Sequence, residues 1–122
     1  MKNLEDFKAY RQRMNKRILE SGSLGIKRFF TLDSQAYKEG ALPPKVKELL
    51  GLVASMVLRC DDCITYHIIQ SVIEGATDEE LWETFNIALI VGGSIVIPHL
   101  RRAVETLDQC RELADEENLS LD

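Results

Sequence analysis

Pro44-Lys45-Val46-Lys47-Glu48-Leu49-Leu50-Gly51-Leu52-Val53-Ala54-Ser55-Met56-Val57-Leu58 decides the fold. Its apolar residues Val46, Leu49, Leu50, Val53, Met56 and Val57 recur at spacings of three and four, the period of a helix face and not the alternation of a strand. Pro44 suits the first turn of such a helix, where a missing N–H costs nothing, and Gly40-Ala41-Leu42-Pro43 breaks the chain ahead of it. Working outward, each remaining segment shows the same periodicity, with Pro and Gly read as junctions throughout. The expectation is an all-α domain: a single bundle of about six helices spanning residues 1–122.

Upstream, a first helix is expected from Leu4 to Glu20, ended by Ser21-Gly22-Ser23, and a second over Ile26, Phe29, Phe30 and Tyr37. Downstream, a helix begins near Cys60, and Gly75 closes it as a left-handed cap. Thr77-Asp78-Glu79-Glu80 reads as a capping box, Thr77 accepting from the third helical residue and Glu80 reaching back. The helix it opens runs through Trp82 and Phe85 and is apolar all round from Ile87 to Ile97, which predicts burial on more than one side. Gly92-Gly93 allows close backbone approach there. A last helix runs from about His99 through Leu107 and Leu113 into the acidic tail Ala114-Asp115-Glu116-Glu117-Asn118, expected to fray, as is the stretch 114–122 as a whole.

Composition narrows the class. With 122 residues, 45% of them hydrophobic, the chain has a core of its own and needs no disulfide scaffold. Three cysteines make an odd number, and Met-Lys-Asn-Leu-Glu-Asp at the start carries no apolar signal core, so a reducing cytoplasm is expected. The longest apolar stretch, Ile87 to Pro98, is too short to cross a bilayer. Net charge is −5, and residues 1–30 hold eight Lys/Arg against three Asp/Glu, leaving seven against seventeen in the rest. This basic first helix, with Phe7, Tyr10, Met14 and Ile18, reads as packing on its own acidic domain or on a neighbouring subunit, with neither nucleic acid nor membrane as partner. An apolar helix too large for a small domain to enclose points the same way, to a homo-oligomer.

The chemistry sits in Cys60-Asp61-Asp62-Cys63-Ile64-Thr65-Tyr66-His67, with Glu48 twelve residues upstream. At 100° per residue, Cys60, Cys63 and His67 fall within a sector of about 60°. Such a thiol pair can close into a disulfide, and an imidazole one turn beyond Cys63 can take its proton, since the thiolate is the reactive form. Asp61 and Asp62 suit the helix dipole but oppose thiolate formation.

The run from Leu42 to about Val104 resembles the carboxymuconolactone decarboxylase superfamily, most closely its alkyl hydroperoxidase D-like branch. The resemblance is carried by Leu42-Pro43-Pro44-Lys45-x-x-Glu48, Cys60-x-x-Cys63-x-x-x-His67, Glu74-Gly75-Ala76-Thr77-Asp78-Glu79-Glu80 and Gly92-Gly93. It implies an all-helical fold assembled as a trimer or hexamer, and a thiol-dependent peroxidase or disulfide oxidoreductase serving antioxidant defence. Position by position, Cys63 resembles the thiol that peroxide oxidises and Cys60 the partner that closes the disulfide. Glu48 and His67 match the proton relay. The implied partners are a hydroperoxide or small disulfide and a lipoyl- or thioredoxin-like dithiol reductant, with no cofactor or metal. One departure is Asp62, where the peroxidases carry a histidine, so dithiol exchange is expected to outpace peroxide reduction.

Other readings compete. Cys60, Cys63, His67 and Glu48, or His99 in place of one of them, make up a zinc donor set, but the second Cys or His pair of a structural site is missing. Haem attachment needs His at position 64, which is Ile64. Lactone decarboxylation is disfavoured, because the decarboxylases of the superfamily generally lack the cysteine pair. A non-catalytic oligomer with a vestigial site is the alternative from a different class. His99 reads as a surface or interface residue, Cys110 as structural, and Tyr66 and Trp82 as packing.

Overall fold

The computed structural model describes residues 3–113 and 119–121. Six helices follow one another: α1 (Leu4–Ser21), α2 (Leu24–Ala36), α3 (Pro44–Leu58), α4 (Asp61–Ile73), α5 (Asp78–Gly92) and α6 (Ile97–Leu113), with a 3-10 turn (Ser94–Val96) before the last. The all-α expectation holds, and the described residues contain no strand.

Side chains set the boundaries. Asn3 accepts from the Asp6 N–H at 2.9 Å to start α1, and Ser23 accepts from Ile26 to start α2. At Thr77 the capping box is complete: the Glu80 N–H donates to Thr77 Oγ1 at 3.1 Å, and the Thr77 N–H to Glu80 Oε1 at 2.9 Å. Gly75 takes φ +88°, as a left-handed cap requires. Between α3 and α4 the chain turns through Arg59, the one non-glycine among the described residues with positive φ. Its N–H bonds back to Met56, the Cys60 N–H bonds to Ser55, and α4 folds back along α3.

The core lies where α3 packs on α4 and α5, and α4 on α6. Leu52, Met56, Ile68, Leu81 and Phe85 are its fully buried centre. The dominant stabilising term is their removal from water, about 1.5–3 kcal/mol for each large side chain.

One boundary needs correction. The apolar run from Ile87 does not continue as helix to Ile97. Gly93 at φ +83° stops α5, the 3-10 turn follows, and α6 starts at Ile97, before His99. In keeping with a run too apolar for this chain to enclose, Ile87, Ile90, Val91 and Ile95 are exposed, Ile90 at 76%. Gly92 does permit close approach: a Cβ there would lie 3.4 Å from Val57 on α3 and would collide with Val96. α2 buries none of its residues, and Leu24, Phe29 and Leu32 face outward.

Of the tail expected to fray, 114–118 and 122 lie outside the described residues. Residues 119–121 return to α1, where Leu119 and Leu121 are buried and Gln12 Nε2 donates to the Leu121 carbonyl at 3.1 Å. Among the described residues no helix is long and apolar enough to cross a membrane.

Candidate active site

Glu48 lies on the first turns of α3, and the antiparallel return of α4 sets His67 opposite it. Glu48 Oε1 is 2.8 Å from His67 Nδ1, with the two residues only 3% and 7% exposed. A carboxylate only accepts, so Nδ1 carries the proton and donates, which leaves Nε2 of the neutral ring with its lone pair. A charged acceptor makes such a bond stronger than a neutral one, and burial holds its geometry.

Gly51 makes this possible. Three residues after Glu48 it shares that face of α3, and a Cβ there would meet the imidazole at 2.6–2.9 Å. The ring lies flat against bare backbone. Gly51 is therefore no junction, contrary to the sequence reading.

Two tyrosines hold the other sides of the ring. Tyr66 meets it edge-on at 5.0 Å between centroids, and Tyr37, the cap of α2, lies tilted at 5.3 Å with its Oη 3.5 Å from Nε2. Burial, then the Glu48 and Asp33 charges, push the Tyr37 hydroxyl above its ordinary acidity range, so it stays protonated.

Cys60 and Cys63 bracket the start of α4. Cys60 is the N-cap, its Sγ accepting the Cys63 N–H at 3.3 Å. The two sulfurs are joined as a disulfide with a Cα–Cα separation of 5.3 Å. Cys63 is exposed and Cys60 partly buried, which makes Cys63 the sulfur an incoming molecule reaches first. When the bond opens, the helix N-terminus favours the thiolate at Cys60.

Cys63 and His67 open into one cleft of about 490 Å³. Its apolar wall is Phe7, Tyr10, Met14 and Ile18 of α1, so the face that the sequence assigned to packing also borders the cysteine pair. Arg11 stacks over Tyr66 at 4.7 Å, and Asp33 and Asp62 line the same cleft.

The four residues singled out by spacing, Glu48, Cys60, Cys63 and His67, are thus brought to one place. His99 is not among them: it sits on α6 with Nδ1 2.7 Å from Asp61 Oδ1. Cys110 is buried in the core with its thiol pushed up to about 12 by desolvation. Trp82 packs edge-on against Phe85. Gly51 and Tyr37 were missed. A glycine one turn after the acidic residue, in a helix of otherwise good formers, was the available signal for the first. Tyr37 carried none, because its approach is tertiary.

The sequence profile described as the carboxymuconolactone decarboxylase family matches residues 26–106. A crystal structure of a Thermotoga maritima protein of that family, for which involvement in an antioxidative response has been suggested, is 53% identical, with TM-score 0.87, covering 96% of this chain and 98% of that one. The apo structure of a family member from Legionella pneumophila is 29% identical, with TM-score 0.76, covering 91% of this chain and 96% of that one. An uncharacterised protein of Cupriavidus necator is 33% identical over 73 residues, which span 60% of this chain and 65% of that relative's length.

Proposed function

Since the chain belongs to the carboxymuconolactone decarboxylase family, we propose that it is a thiol oxidoreductase of the alkyl hydroperoxidase D type, reducing hydroperoxides or small disulfides at Cys63. The supporting observation is the buried Glu48–His67 pair one turn from a closed Cys60–Cys63 bond. The antioxidative suggestion made for the Thermotoga protein agrees with this reading.

In the reduced protein, His67 Nε2 takes the Cys63 proton, directly or through a water, and Glu48 stabilises the imidazolium. The thiolate attacks the terminal oxygen of a hydroperoxide, the O–O bond breaks, and the alkoxide leaves as alcohol with the proton from His67. Cys63 is then a sulfenic acid. The Cys60 thiol attacks its sulfur, the S–O bond breaks, and the oxygen takes the Cys60 proton and leaves as water. An external dithiol of lipoyl or thioredoxin type closes the cycle. One of its thiolates attacks the exposed Cys63, Cys60 leaves as a helix-capped thiolate, and the second thiol displaces Cys63, carrying the disulfide away.

The same reading has the chain acting in the cytoplasm as a trimer or hexamer, supported by the apolar side chains left exposed on α2 and α5. Zinc is the less favoured chemistry, because a structural site usually takes a second Cys or His pair, which the sequence does not offer beside Cys60 and Cys63.

The test is a count of thiols. Reduced protein given one equivalent of organic hydroperoxide should lose two of its three thiols together, with mass mapping placing both at Cys60 and Cys63 and leaving Cys110 free. A major disulfide containing Cys110, or no loss of thiol, contradicts the proposal.

A further inference from the structure

Asp61 stands between the two cysteines, as the first residue of α4, where an isolated carboxylate would oppose formation of either thiolate. It is not isolated. Its Oδ1 lies 2.7 Å from His99 Nδ1 and its Oδ2 2.9 Å from Arg102 Nε, both on α6. Arg102 pairs with Asp61 as a charge at ion-pair distance, and its Nη2 lies 3.2 Å from the same His99 Nδ1, so the three side chains tie the first turn of α4 to α6.

We propose that Arg102 and His99 are positioning residues of the dithiol: Arg102 offsets the Asp61 charge beside Cys60 and Cys63, and the two together anchor the turn that carries both sulfurs. This rests on the dithiol reading above and adds to it a part of α6 outside the cysteine, histidine and glutamate set.

The other groups around the sulfurs do not supply the same compensation. Asp62 on α4 adds negative charge, and Asp33 on α2 lines the same cleft. Arg11 on α1 is stacked on Tyr66, Glu48 on α3 is committed to His67, and Tyr37 remains a neutral phenol. Arg59, immediately before Cys60, is exposed and makes its bonds through its backbone. Among the described residues, the cation at ion-pair distance from the Asp61 carboxylate is Arg102 of α6.

The measurement is the pH profile of iodoacetamide alkylation at Cys60 and Cys63 in fully reduced full-length protein, read by mass, with buried Cys110 as the internal unreactive site. Arg102→Gln leaves Asp61 uncompensated and should move the alkylation midpoint to higher pH, by roughly half a pH unit to one unit, since both side chains are partly exposed and water screens them. Asp61→Asn leaves Arg102 as an unpaired cation and should move it to lower pH. The double variant should return close to wild type.

Opposite signs that cancel are a signature that loss of packing cannot produce. Single variants that shift in the same direction, or not at all, overturn the proposal. If Arg102→Gln does not fold, Asp61→Asn alone decides, because an unchanged or raised midpoint contradicts it. Alkylation reads the thiols without any peroxide, so an inert wild type in the hydroperoxide assay refutes the peroxidase reading separately from this one.

Discussion

Gly51 is the residue on which the relay depends. The His67 ring lies against its bare backbone, and even a methyl group there would come within 2.6 Å of the ring. Gly51→Ala should therefore separate His67 from Glu48 and slow thiol oxidation by roughly 10²-fold, the scale of a lost general base. It gains helix propensity, so a variant that stays folded yet reacts slowly is the expected result, checked by circular dichroism beside stopped-flow rates. Cys110 gives a second prediction, of pH dependence. Its thiol is raised from 9.0 to about 12 by burial, so at alkaline pH the unfolded chain releases a proton that the folded chain keeps. The stability is whole below about pH 9 and declines from there towards pH 12, and Cys110→Ala should flatten that decline in urea melts taken across this window. Glu48, Cys60, Cys63 and His67 were legible because helical spacing alone puts sulfur and imidazole on one side. Gly51 and Tyr37 were not, since a glycine reads as a weak point and a tyrosine as packing until the facing helix is in place.

Among elements, the starts and stops written in side-chain chemistry were legible, and those set by backbone alone were less so. Thr77 and Glu80 satisfy each other's N–H groups reciprocally, as the sequence pattern implied. Thr77→Ala should cost about 1 kcal/mol, seen as a lower urea midpoint with an unchanged slope. The end of α5 was harder, because apolar residues continue through Gly92-Gly93 to Ile97 and periodicity does not register a single backbone angle. Gly93 at φ +83° ends the helix, and the 3-10 turn redirects the chain into α6. That redirection brings His99 and Arg102 to Asp61 at the first turn of α4. His99 looked like a surface residue in the sequence because its partner lies 38 positions away.

For the whole molecule, the exposed apolar side chains and the uneven charge distribution carry the same implication. Leu24, Phe29 and Leu32 on α2, and Ile87, Ile90 and Val91 on α5, remain in contact with water in the single chain. The proposed self-association would also set the basic first thirty residues of one copy against the acidic remainder of another. Ile90→Glu should shift the protein to smaller species or reduce its solubility, read by sedimentation, and a wild type that is a stable monomer at micromolar concentration contradicts the assembly. The fold class was legible because every segment shares one period. The excess apolar surface from Ile87 onward was legible too, whereas the outward face of α2 was not, because periodicity tells which side of a helix is apolar and not whether its own chain reaches that side.

Cys63 shares its cleft with His67, which Glu48 holds, and the central claim is that Glu48 and His67 act on the Cys63 sulfur as one unit. The direct measurement is the second-order rate of hydroperoxide reaction for reduced wild type, Glu48→Gln, His67→Ala and the double variant. The account predicts that each single variant slows by roughly 10²-fold or more and that the double is little worse than either, since the first loss removes what the second residue contributes. Wild-type rates in both single variants, with the helices intact by circular dichroism, would leave Cys60 and Cys63 a bare dithiol and contradict it.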